Sequence, residues 1–486
     1  MKVVKPKSNA TNAKTDKTDK PQITVFPQMK RPIISLGEMD DNVMDGLLDC
    51  TGKFFKISSA SLYYYPYSLI SRNMTANTRL NNRYQIIRIY KHLCKVFEHG
   101  NIYFSLIKKG SQYLKRKCFI KELPLIGHEL YVDMVGMYKQ LDGRFPNVFG
   151  QNFNQMIYSY KNPSYIDVMC NYLCSRLVES NILPHFPLFY GSITTLFNKF
   201  TYTFGDSNEY RDFRSQFSRK KTSNYNIINK EDKDKVQVRD LPVILMATEV
   251  MDYDLKDFLE ESFEKYEEHG DKFDKTLYES HILSILFQTI VSLTVVQSLW
   301  NMCHNDLHLG NIMFKKTKHE YINYHFKGVF YRVRTYGTMV KIIDWNRATL
   351  TLNGVDMNNI CYDTNFECEG MYCFPSTLPK SKAAIKPNCG FDLALLAYEL
   401  LDQNMIFDKT SKIHKLLMDW TTTSNGSNIY TDLGGKDEEA DFELYQRIAQ
   451  ECFKSVPVAQ FQRAIWNCFK VDKSTIPATE HIYSIN

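Results

Sequence analysis

Two short stretches of the sequence place oxygen-bearing side chains beside apolar residues. The first contains the carboxylate of Asp306 and, five positions later, the carboxamide of Asn311. The second ends in Asp344, which follows the stretch 340–343. A carboxylate can receive a proton from a hydroxyl group, and carboxylate and carboxamide oxygens are ligands that Mg²⁺ prefers. These three side chains are therefore suited to phosphoryl transfer, which needs a base and ligands that hold Mg²⁺ against the phosphates of ATP.

These side chains meet only if the residues beside them form short strands. We expect strands at 312–314 and 340–343 that bring Asn311 and Asp344 together. The apolar segment 277–300 is predicted to form a helix that lies buried beneath them. Two such motifs follow one another in the chain, each beside an apolar run. This favours phosphoryl transfer over the alternative that these are turn and cap residues of an unrelated fold.

The motifs resemble the catalytic loop and the magnesium-binding aspartate of the protein-kinase superfamily. The sequences at 184–191 and 305–311, with a tyrosine-rich hairpin at 316–339, further resemble the serine/threonine kinases of giant amoebal DNA viruses of the mimivirus type. The resemblance covers roughly residues 100–410. It implies a bilobal α+β fold, with a small lobe of antiparallel strands plus one helix and a larger, mostly helical lobe. It also implies ATP and Mg²⁺ as cofactors and Ser/Thr hydroxyls of a protein as the acceptor.

The resemblance also assigns roles to individual residues. Asp306 would accept the proton of the acceptor hydroxyl, Lys121 would position the phosphates, and Asn311 with Asp344 would bind Mg²⁺. His308 stands where protein kinases usually have a phosphate-contacting lysine, so we count it as a third candidate catalytic residue.

Three further substitutions relative to the family indicate how the enzyme is controlled. Asn305 replaces the catalytic-loop arginine that binds a phosphorylated activation loop, and Trp345 and Asn346 replace the Phe and Gly that follow the magnesium-binding aspartate. We therefore predict an enzyme that is constitutively poised and does not require activation-loop phosphorylation.

Two segments are candidates for nucleotide binding. Only one glycine stands where a glycine-rich loop is expected, so a turn over the phosphates is predicted at Lys109, Gly110 and Ser111. The apolar strand 243–251 resembles the interlobe hinge, where main-chain groups near Glu249 and Met251 would bind the adenine edge.

Two aspartates are predicted to support the site. A helix is expected at 164–179, and Asp167 in its first turn either pairs with Lys121 or only interacts with the helix dipole. Asp392, which opens a second predicted helix, resembles the aspartate that hydrogen-bonds the backbone of the catalytic loop.

The chain divides into four predicted regions: a basic tail at 1–30, an N-terminal extension at 31–100, a kinase N-lobe at 101–250 with insertions at about 123–162 and 205–240, and a kinase C-lobe at 251–486. Within the extension, apolar residues recurring through 82–97 predict a helix.

Charge and cysteine content limit the partners and the compartment. The formal charge of +6 is concentrated in residues 1–20, which contain six lysines and two aspartates, and the remainder is close to neutral. A specific nucleic-acid partner is therefore not expected, and the tail is predicted to be disordered. Twelve cysteines without a CxxC pair predict free thiols, including the irregular group Cys361, Cys368, Cys373 and Cys389.

The sequence predicts neither secretion nor a membrane span. No charged leader followed by an apolar core opens the chain, and polar residues interrupt the apolar segment 281–302. We expect a cytoplasmic protein, in the host cytoplasm or the virion if it is viral, whose protein substrate the sequence does not identify.

Two alternatives remain open. A small-molecule kinase of the aminoglycoside or choline type shares the Asp-Leu-His-x-Gly-Asn and Ile-Asp-Trp motifs, although the predicted hinge and the helix at 390–401 resemble protein kinases more closely. A pseudokinase scaffold would explain the single glycine of the predicted phosphate turn. The presence of Lys121, Asp306, Asn311 and Asp344 opposes that reading.

Overall fold

The computed structural model describes residues 28–126, 157, 159–203, 211, 225–227, 235–357, 387–403, 409–434 and 440–485. Most of the predicted tail, the centres of both predicted insertions, and Cys361, Cys368 and Cys373 lie outside the described residues. The strands are β1 (Leu36–Glu38), β2 (Ile57–Ser61), β3 (Thr78–Leu80), β4 (Tyr84–Phe97), β5 (Gly100–Lys109), β6 (Gln112–Pro124), β7 (Phe189–Phe197), β8 (Phe200–Thr203), β9 (Tyr225–Ile227), β10 (Lys235–Val238), β11 (Leu241–Glu249), β12 (Tyr253–Asp254), β13 (Ile312–Lys316), β14 (Tyr321–Phe326), β15 (Val329–Arg334), β16 (Thr338–Ile342), β17 (Leu350–Leu352), β18 (Val355–Met357), β19 (Lys470–Val471) and β20 (Ile482–Ser484). The α-helices are α1 (Asp41–Phe54), α2 (Pro163–Glu179), α3 (Leu255–His269), α4 (Lys275–Trp300), α5 (Phe391–Asp402), α6 (Lys412–Trp420), α7 (Ile429–Leu433), α8 (Ala440–Glu451) and α9 (Pro457–Gln460).

A six-stranded antiparallel sheet dominates the N-terminal part, in the order β2-β7-β11-β6-β5-β4. Helix α1 covers one face, where Phe54 and Phe55 pack on Tyr103 with ring centroids 5.8 and 5.2 Å apart. Lys121 extends from the other face towards helix α2. The mixture of helices and strands agrees with the predicted α+β class.

The helix predicted at 82–97 is wrong, because this segment forms strand β4 of the sheet. Bulges shift its register to β5 after Ile86, after Ile89, after His92 and after Lys95. Each bulge adds one residue to the strand, so the side facing the core recurs every third residue instead of every second. Such spacing imitates a helical pattern. The domain boundary predicted at residue 100 falls at the tip of the β4-β5 hairpin.

Helix α2 is enclosed by its surroundings, with 13 of its 17 residues buried. Asn162 caps it by accepting a hydrogen bond from Ser164 N at 3.0 Å. N-terminal residues contact its outer side: Tyr64 donates to the carbonyl of Tyr165 at 2.5 Å, and the carbonyl of Ser35 accepts from Tyr172 at 3.1 Å. The N-terminal segment therefore fixes the position of this helix.

The C-terminal part is built around helix α4. Among the residues that the structure describes, this is the one helix long and apolar enough to cross a membrane, and 89% of its most apolar window is buried inside the protein. This agrees with the predicted buried core helix. Strands β13 and β16 pair beside it with Ile312 opposite Ile342, which brings the two sequence motifs together as predicted.

The predicted hairpin at 316–339 contains β14 and β15, which form a four-stranded sheet in the order β19-β15-β14-β20. Strand β20 runs parallel to β14, with Ile482 opposite Asn323. An ion pair between Arg332 and Glu480 at 2.6 Å reinforces this closure. The C-terminal part thus holds more strand than the mostly helical lobe that was predicted.

Candidate active site

Lys121 contacts two carboxylates at once. Its Nζ lies 2.9 Å from Asp167 Oδ2 and 2.7 Å from Asp344 Oδ1. The structure therefore settles the alternatives for Asp167, which pairs with Lys121. We call Lys121, Asp167 and Asp344 the lysine cluster.

The electrostatics of the lysine cluster follow from its burial. Burial alone would lower the pKa of Lys121, but the two carboxylates raise it above the usual value. Burial raises the pKa of Asp167, whose side chain is 0% exposed. Burial also opposes ionisation of Asp344, yet the adjacent ammonium holds the pKa of Asp344 below its usual value. The cluster is thus a lysine cation between two acids, one of which is strongly ionised.

The other oxygen of Asp167 ties helix α2 to the residues after strand β16. Asp167 Oδ1 accepts hydrogen bonds from Trp345 N at 3.0 Å and from Asn171 Nδ2 at 2.8 Å. The Trp345 ring is buried between Phe186 and His304, at centroid distances of 6.1 and 4.6 Å. The tryptophan that replaces the usual Phe therefore anchors Asp344 in place.

Asp392 binds the backbone of the loop 304–311, as predicted. Its two oxygens accept hydrogen bonds from His304 N at 3.0 Å and from Asn305 N at 2.8 Å. Asn305 has a left-handed backbone with φ +63°, and its amide donates to the carbonyl of Arg347 at 3.0 Å. Within the protein, Asn305 thus joins the catalytic loop directly to the segment after Asp344.

Asn311 has its amide nitrogen occupied and its oxygen available. Nδ2 donates to the carbonyl of Asp306 at 2.8 Å and to His308 Nε2 at 3.0 Å. No protein donor is found for Asn311 Oδ1 or for Asp344 Oδ2 in the described part of the chain. These two hard oxygens fit Mg²⁺, which keeps several water and phosphate ligands. The described residues contain no group of three His, Cys, Asp or Glu side chains that could hold a metal ion by themselves.

Asp306 is contacted by two residues that the motifs did not predict. Its Oδ1 accepts a hydrogen bond from the Tyr445 hydroxyl at 2.7 Å and another from Arg347 Nη1 at 3.1 Å. We call Asp306, Arg347 and Tyr445 the Asp306 cluster. His308, in contrast, is directed to Asn311.

The turn predicted to cover the phosphates, at Lys109, Gly110 and Ser111, lies far from Lys121 in the structure. That turn joins β5 to β6 at the end of the sheet remote from Lys121, since Lys109 pairs with Gln112 while Gly100 pairs with Lys121. The length of β5 separates the two ends by about 30 Å.

The turn next to Lys121 is formed by residues 97–100, between β4 and β5. Its Phe97 ring lies over Gly100 and contacts the ring of Phe119 at a centroid distance of 5.6 Å. His99 is held by Glu122 Oε2 at 3.2 Å from Nδ1. Gly100 between two apolar runs was the sequence signal for this turn.

The predicted hinge follows strand β11. Glu249 ends this strand, and its backbone N–H donates to the carbonyl of Leu188 at 2.8 Å. No hydrogen bond to the backbone of Met251 is found among the described residues, so its N–H and C=O are available to a ligand. The backbone of Met251 can therefore donate one hydrogen bond to the edge of a planar ligand and accept another from it.

Comparison with known proteins gives a local similarity. No family model matches the chain. A 72-residue stretch, 15% of this chain, is 36% identical to the serine/threonine-protein kinase haspin of Mus musculus. The same identity over 72 residues is found with haspin of Bos taurus. The chain spans about a tenth of the length of these curated relatives, covering 10% and 9% of them.

Two solved kinase domains align with most of the chain at low similarity. The ROP18 kinase domain in complex with AMP-PNP and sucrose aligns over 89% of this chain and 94% of its own, with 9% identity and a TM-score of 0.32. The kinase domain PF14_0431 aligns over 81% and 98%, with 14% identity and a TM-score of 0.23.

Over 72 residues the chain is thus similar to the serine/threonine-protein kinase haspin. The structure itself shows a fold of the α+β class.

Proposed function

We propose that this chain is an ATP-dependent protein kinase that transfers the γ-phosphate to Ser or Thr hydroxyls. The observation that carries the proposal is the simultaneous contact of Lys121 with Asp167 and Asp344, at 2.9 and 2.7 Å. This arrangement presents a cation and a carboxylate oxygen side by side, as binding of ATP with a divalent cation requires.

The residues divide the task between them. Lys121 binds and orients the phosphates, and the backbone of Met251 holds the adenine edge near Glu249. Asn311 Oδ1 and Asp344 Oδ2 would hold Mg²⁺, which when bound neutralises charge on the phosphates. Asp306 receives the proton of the acceptor hydroxyl, and His308 orients the Asn311 amide so that its oxygen remains available. The hairpin turn at 97–100 covers the phosphates in place of the turn predicted at Gly110.

The acceptor class and the compartment are part of the proposal. Preference for Ser and Thr rests on the local similarity to haspin and on the resemblance of the 305–311 motif to viral serine/threonine kinases. A cytoplasmic protein of a mimivirus-type branch remains our prediction from the sequence.

The proposal is tested by transfer of labelled γ-phosphate from Mg-ATP by the purified chain. Acceptors are a mixed protein substrate and a panel of aminoglycosides and choline, and binding of a non-hydrolysable ATP analogue is measured in parallel. The key variant is Asp306→Asn. Its matched control is Asp432→Asn. The carboxylate of Asp432 forms an ion pair with Arg447 at 2.8 Å and is not part of the candidate site.

We expect labelled phosphoserine and phosphothreonine in protein with the wild-type chain and with Asp432→Asn. Asp306→Asn should bind the ATP analogue normally and retain only a small residual rate of transfer. Label on an aminoglycoside or choline would instead establish a small-molecule kinase. Tight binding of the analogue without transfer to any acceptor would establish a pseudokinase.

A further inference from the structure

The carboxylate of Asp306 is held through only one of its two oxygens. Tyr445 from helix α8 and Arg347, which follows Asp344 in the chain, both donate to Oδ1, at 2.7 and 3.1 Å. In the part of the chain that the structure describes, no protein donor is found for Oδ2. The side chain of Asp306 is 12% exposed, so its remaining oxygen is reached from a confined space.

Two donors on Oδ1 fix the rotation of the carboxylate. A carboxylate with no partner samples several orientations, whereas two hydrogen bonds from different elements select one of them. The consequence is a defined position for Oδ2, which is the oxygen left to meet an acceptor hydroxyl.

Arg347 also supplies a positive charge that the catalytic loop lacks. Residues 304–311 contain no lysine or arginine. The guanidinium of Arg347 remains charged at any working pH and lies 3.1 Å from Asp306 Oδ1. It is therefore a cation placed beside the base by a different segment of the chain.

Tyr445 supports both partners. Its hydroxyl donates to Asp306 and its ring lies 5.7 Å from the guanidinium carbon of Arg347, which is a cation–π contact. Burial and the charge of Asp306 raise the pKa of Tyr445, so the hydroxyl keeps its proton and acts only as a donor.

We propose that Arg347 and Tyr445 are positioning residues that fix Asp306 for proton acceptance through Oδ2, with Arg347 supplying a cation that no lysine or arginine of residues 304–311 provides. This inference rests on the proposed kinase function. In the step concerned, the acceptor oxygen forms a bond to the γ-phosphorus while the bond from that phosphorus to the β–γ bridging oxygen breaks. The electron pair of the broken bond leaves with ADP, the hydroxyl proton passes to Asp306 Oδ2, and Tyr445 keeps its own proton.

The test measures kcat and the KM values for ATP and for a protein substrate in single variants. Tyr445→Phe removes only the hydroxyl, Arg347→Met removes the charge, and Arg347→Lys keeps it. Tyr430→Phe is the matched tyrosine control, because that hydroxyl donates to the carbonyl of Leu401 at 2.9 Å, outside the cluster. Arg447→Met is the arginine control, because Arg447 lies on the same helix as Tyr445 and pairs with Asp432 and Glu451.

We expect kcat to fall about tenfold in Tyr445→Phe and about 100-fold in Arg347→Met, with the KM for ATP unchanged. Arg347→Lys should recover part of the loss. The two controls should retain wild-type kcat.

A double-mutant cycle separates positioning from a structural role. Residues that act through Asp306 should have no further effect once Asp306→Asn is present, whereas structural damage would reduce the residual rate further. We therefore expect Asp306→Asn with Tyr445→Phe to match Asp306→Asn alone.

The outcomes distinguish this inference from the proposed function. Wild-type transfer with an unchanged or increased kcat in Tyr445→Phe would overturn the inference alone, and an increase would indicate that the tyrosine blocks the base. Additive losses in the double variant would also overturn it. Absence of transfer by the wild-type chain would overturn the proposed function and, with it, this inference.

Discussion

The lysine cluster and the Asp306 cluster belong to one candidate site, but the protein holds them in different ways. The lysine cluster connects strand β6, helix α2 and the end of β16, and Asp167 has both oxygens occupied by partners from three positions. The Asp306 carboxylate instead has its two side-chain donors on a single oxygen. Within the described residues, Asp306 therefore keeps one oxygen without a protein donor, whereas Asp167 does not.

The enclosure of helix α2 strengthens this difference. Tyr64 binds the helix backbone, and Tyr172 of the helix binds the carbonyl of Ser35. Asp167 therefore cannot leave Lys121 without breaking buried contacts. The lysine cluster should consequently be formed before any ligand arrives. That expectation agrees with a constitutively poised enzyme, which remains a prediction from Asn305, Trp345 and Asn346.

The largest effect should come from breaking the lysine cluster. Lys121→Met leaves the buried carboxylate of Asp167 and the partly exposed carboxylate of Asp344 without their cation, so we expect the free energy of unfolding to fall by about 3–5 kcal/mol. Transfer should fall at least about 100-fold in the same variant. Denaturant unfolding and kcat measure the two losses.

Asp306→Asn provides the contrast. It should reduce transfer by about 10²–10⁴-fold, with a measurable residual rate. The free energy of unfolding should change by less than about 1 kcal/mol, since the amide oxygen can still accept from Tyr445. Equal destabilisation by Lys121→Met and Asp306→Asn would show that the two clusters are not held differently.

The next effect is a loss of stability in acid. Val340 O can only accept, so His185 Nδ1 carries the proton and donates to it at 3.1 Å, which leaves Nε2 to accept from the Tyr324 hydroxyl at 2.6 Å. Burial lowers the pKa of His185 to about 3, against about 6.5 in the unfolded chain. Between these values the unfolded state binds one more proton, so stability present above pH 6.5 should decline by about 1.4 kcal/mol per pH unit as the pH falls.

Unfolding in denaturant between pH 6.5 and 4.5 checks this dependence. His185→Gln should reduce the slope of unfolding free energy against pH by about 1.4 kcal/mol per pH unit, the contribution of one proton. Tyr324→Phe leaves the ring buried and should keep the slope, since burial is the main cause of the shift. An unchanged slope in His185→Gln would exclude His185 as the group responsible.

A smaller effect should come from the hairpin turn at 97–100. An alanine Cβ at Gly100 would lie 2.4 Å from the Phe97 ring, so the ring must move away from its position over the turn. We expect Gly100→Ala to raise the KM for ATP about fivefold with little change in kcat. An unchanged KM would contradict the placement of this turn over the phosphates.

The smallest effect should come from the other end of the same sheet. Gly110 has φ +57° with open space around it, so Gly110→Ala should cost about 1 kcal/mol of stability through backbone strain. The KM for ATP should remain at the wild-type value. A changed KM would restore Gly110 as a candidate phosphate contact.

Local motifs in the sequence predicted the parts of the site that lie close together in the chain. Asp306 and Asn311 share one loop, and the apolar residues beside Asn311 and Asp344 predicted the β13-β16 pair that joins them. The order of Lys121, the helix at 164–179 and the apolar strand after it was also readable, because each element has a clear hydrophobic pattern.

The remaining parts depend on contacts that the sequence does not encode locally. Arg347 and Tyr445 are separated from Asp306 by 41 and 139 positions, and no spacing rule connects them. The helix predicted at 82–97 is wrong for the opposite reason. The bulges of strand β4 give its core-facing residues a spacing that imitates a helix. Pairing with β5 in the folded sheet makes this segment a strand, although the spacing of its apolar residues alone indicates a helix.

The parallel pairing of β20 with β14 has a consequence for the synthesis of this protein. Residues 482–484 leave the ribosome long after residues 323–325, so β14 has no partner on that edge while the intervening chain is being made. An unpaired strand edge attracts other chains, and nascent polypeptides with such an edge depend on chaperones or on rapid completion. The same sheet contains Tyr324, the partner of His185, so a polypeptide interrupted before residue 482 should be a substrate for cellular quality control.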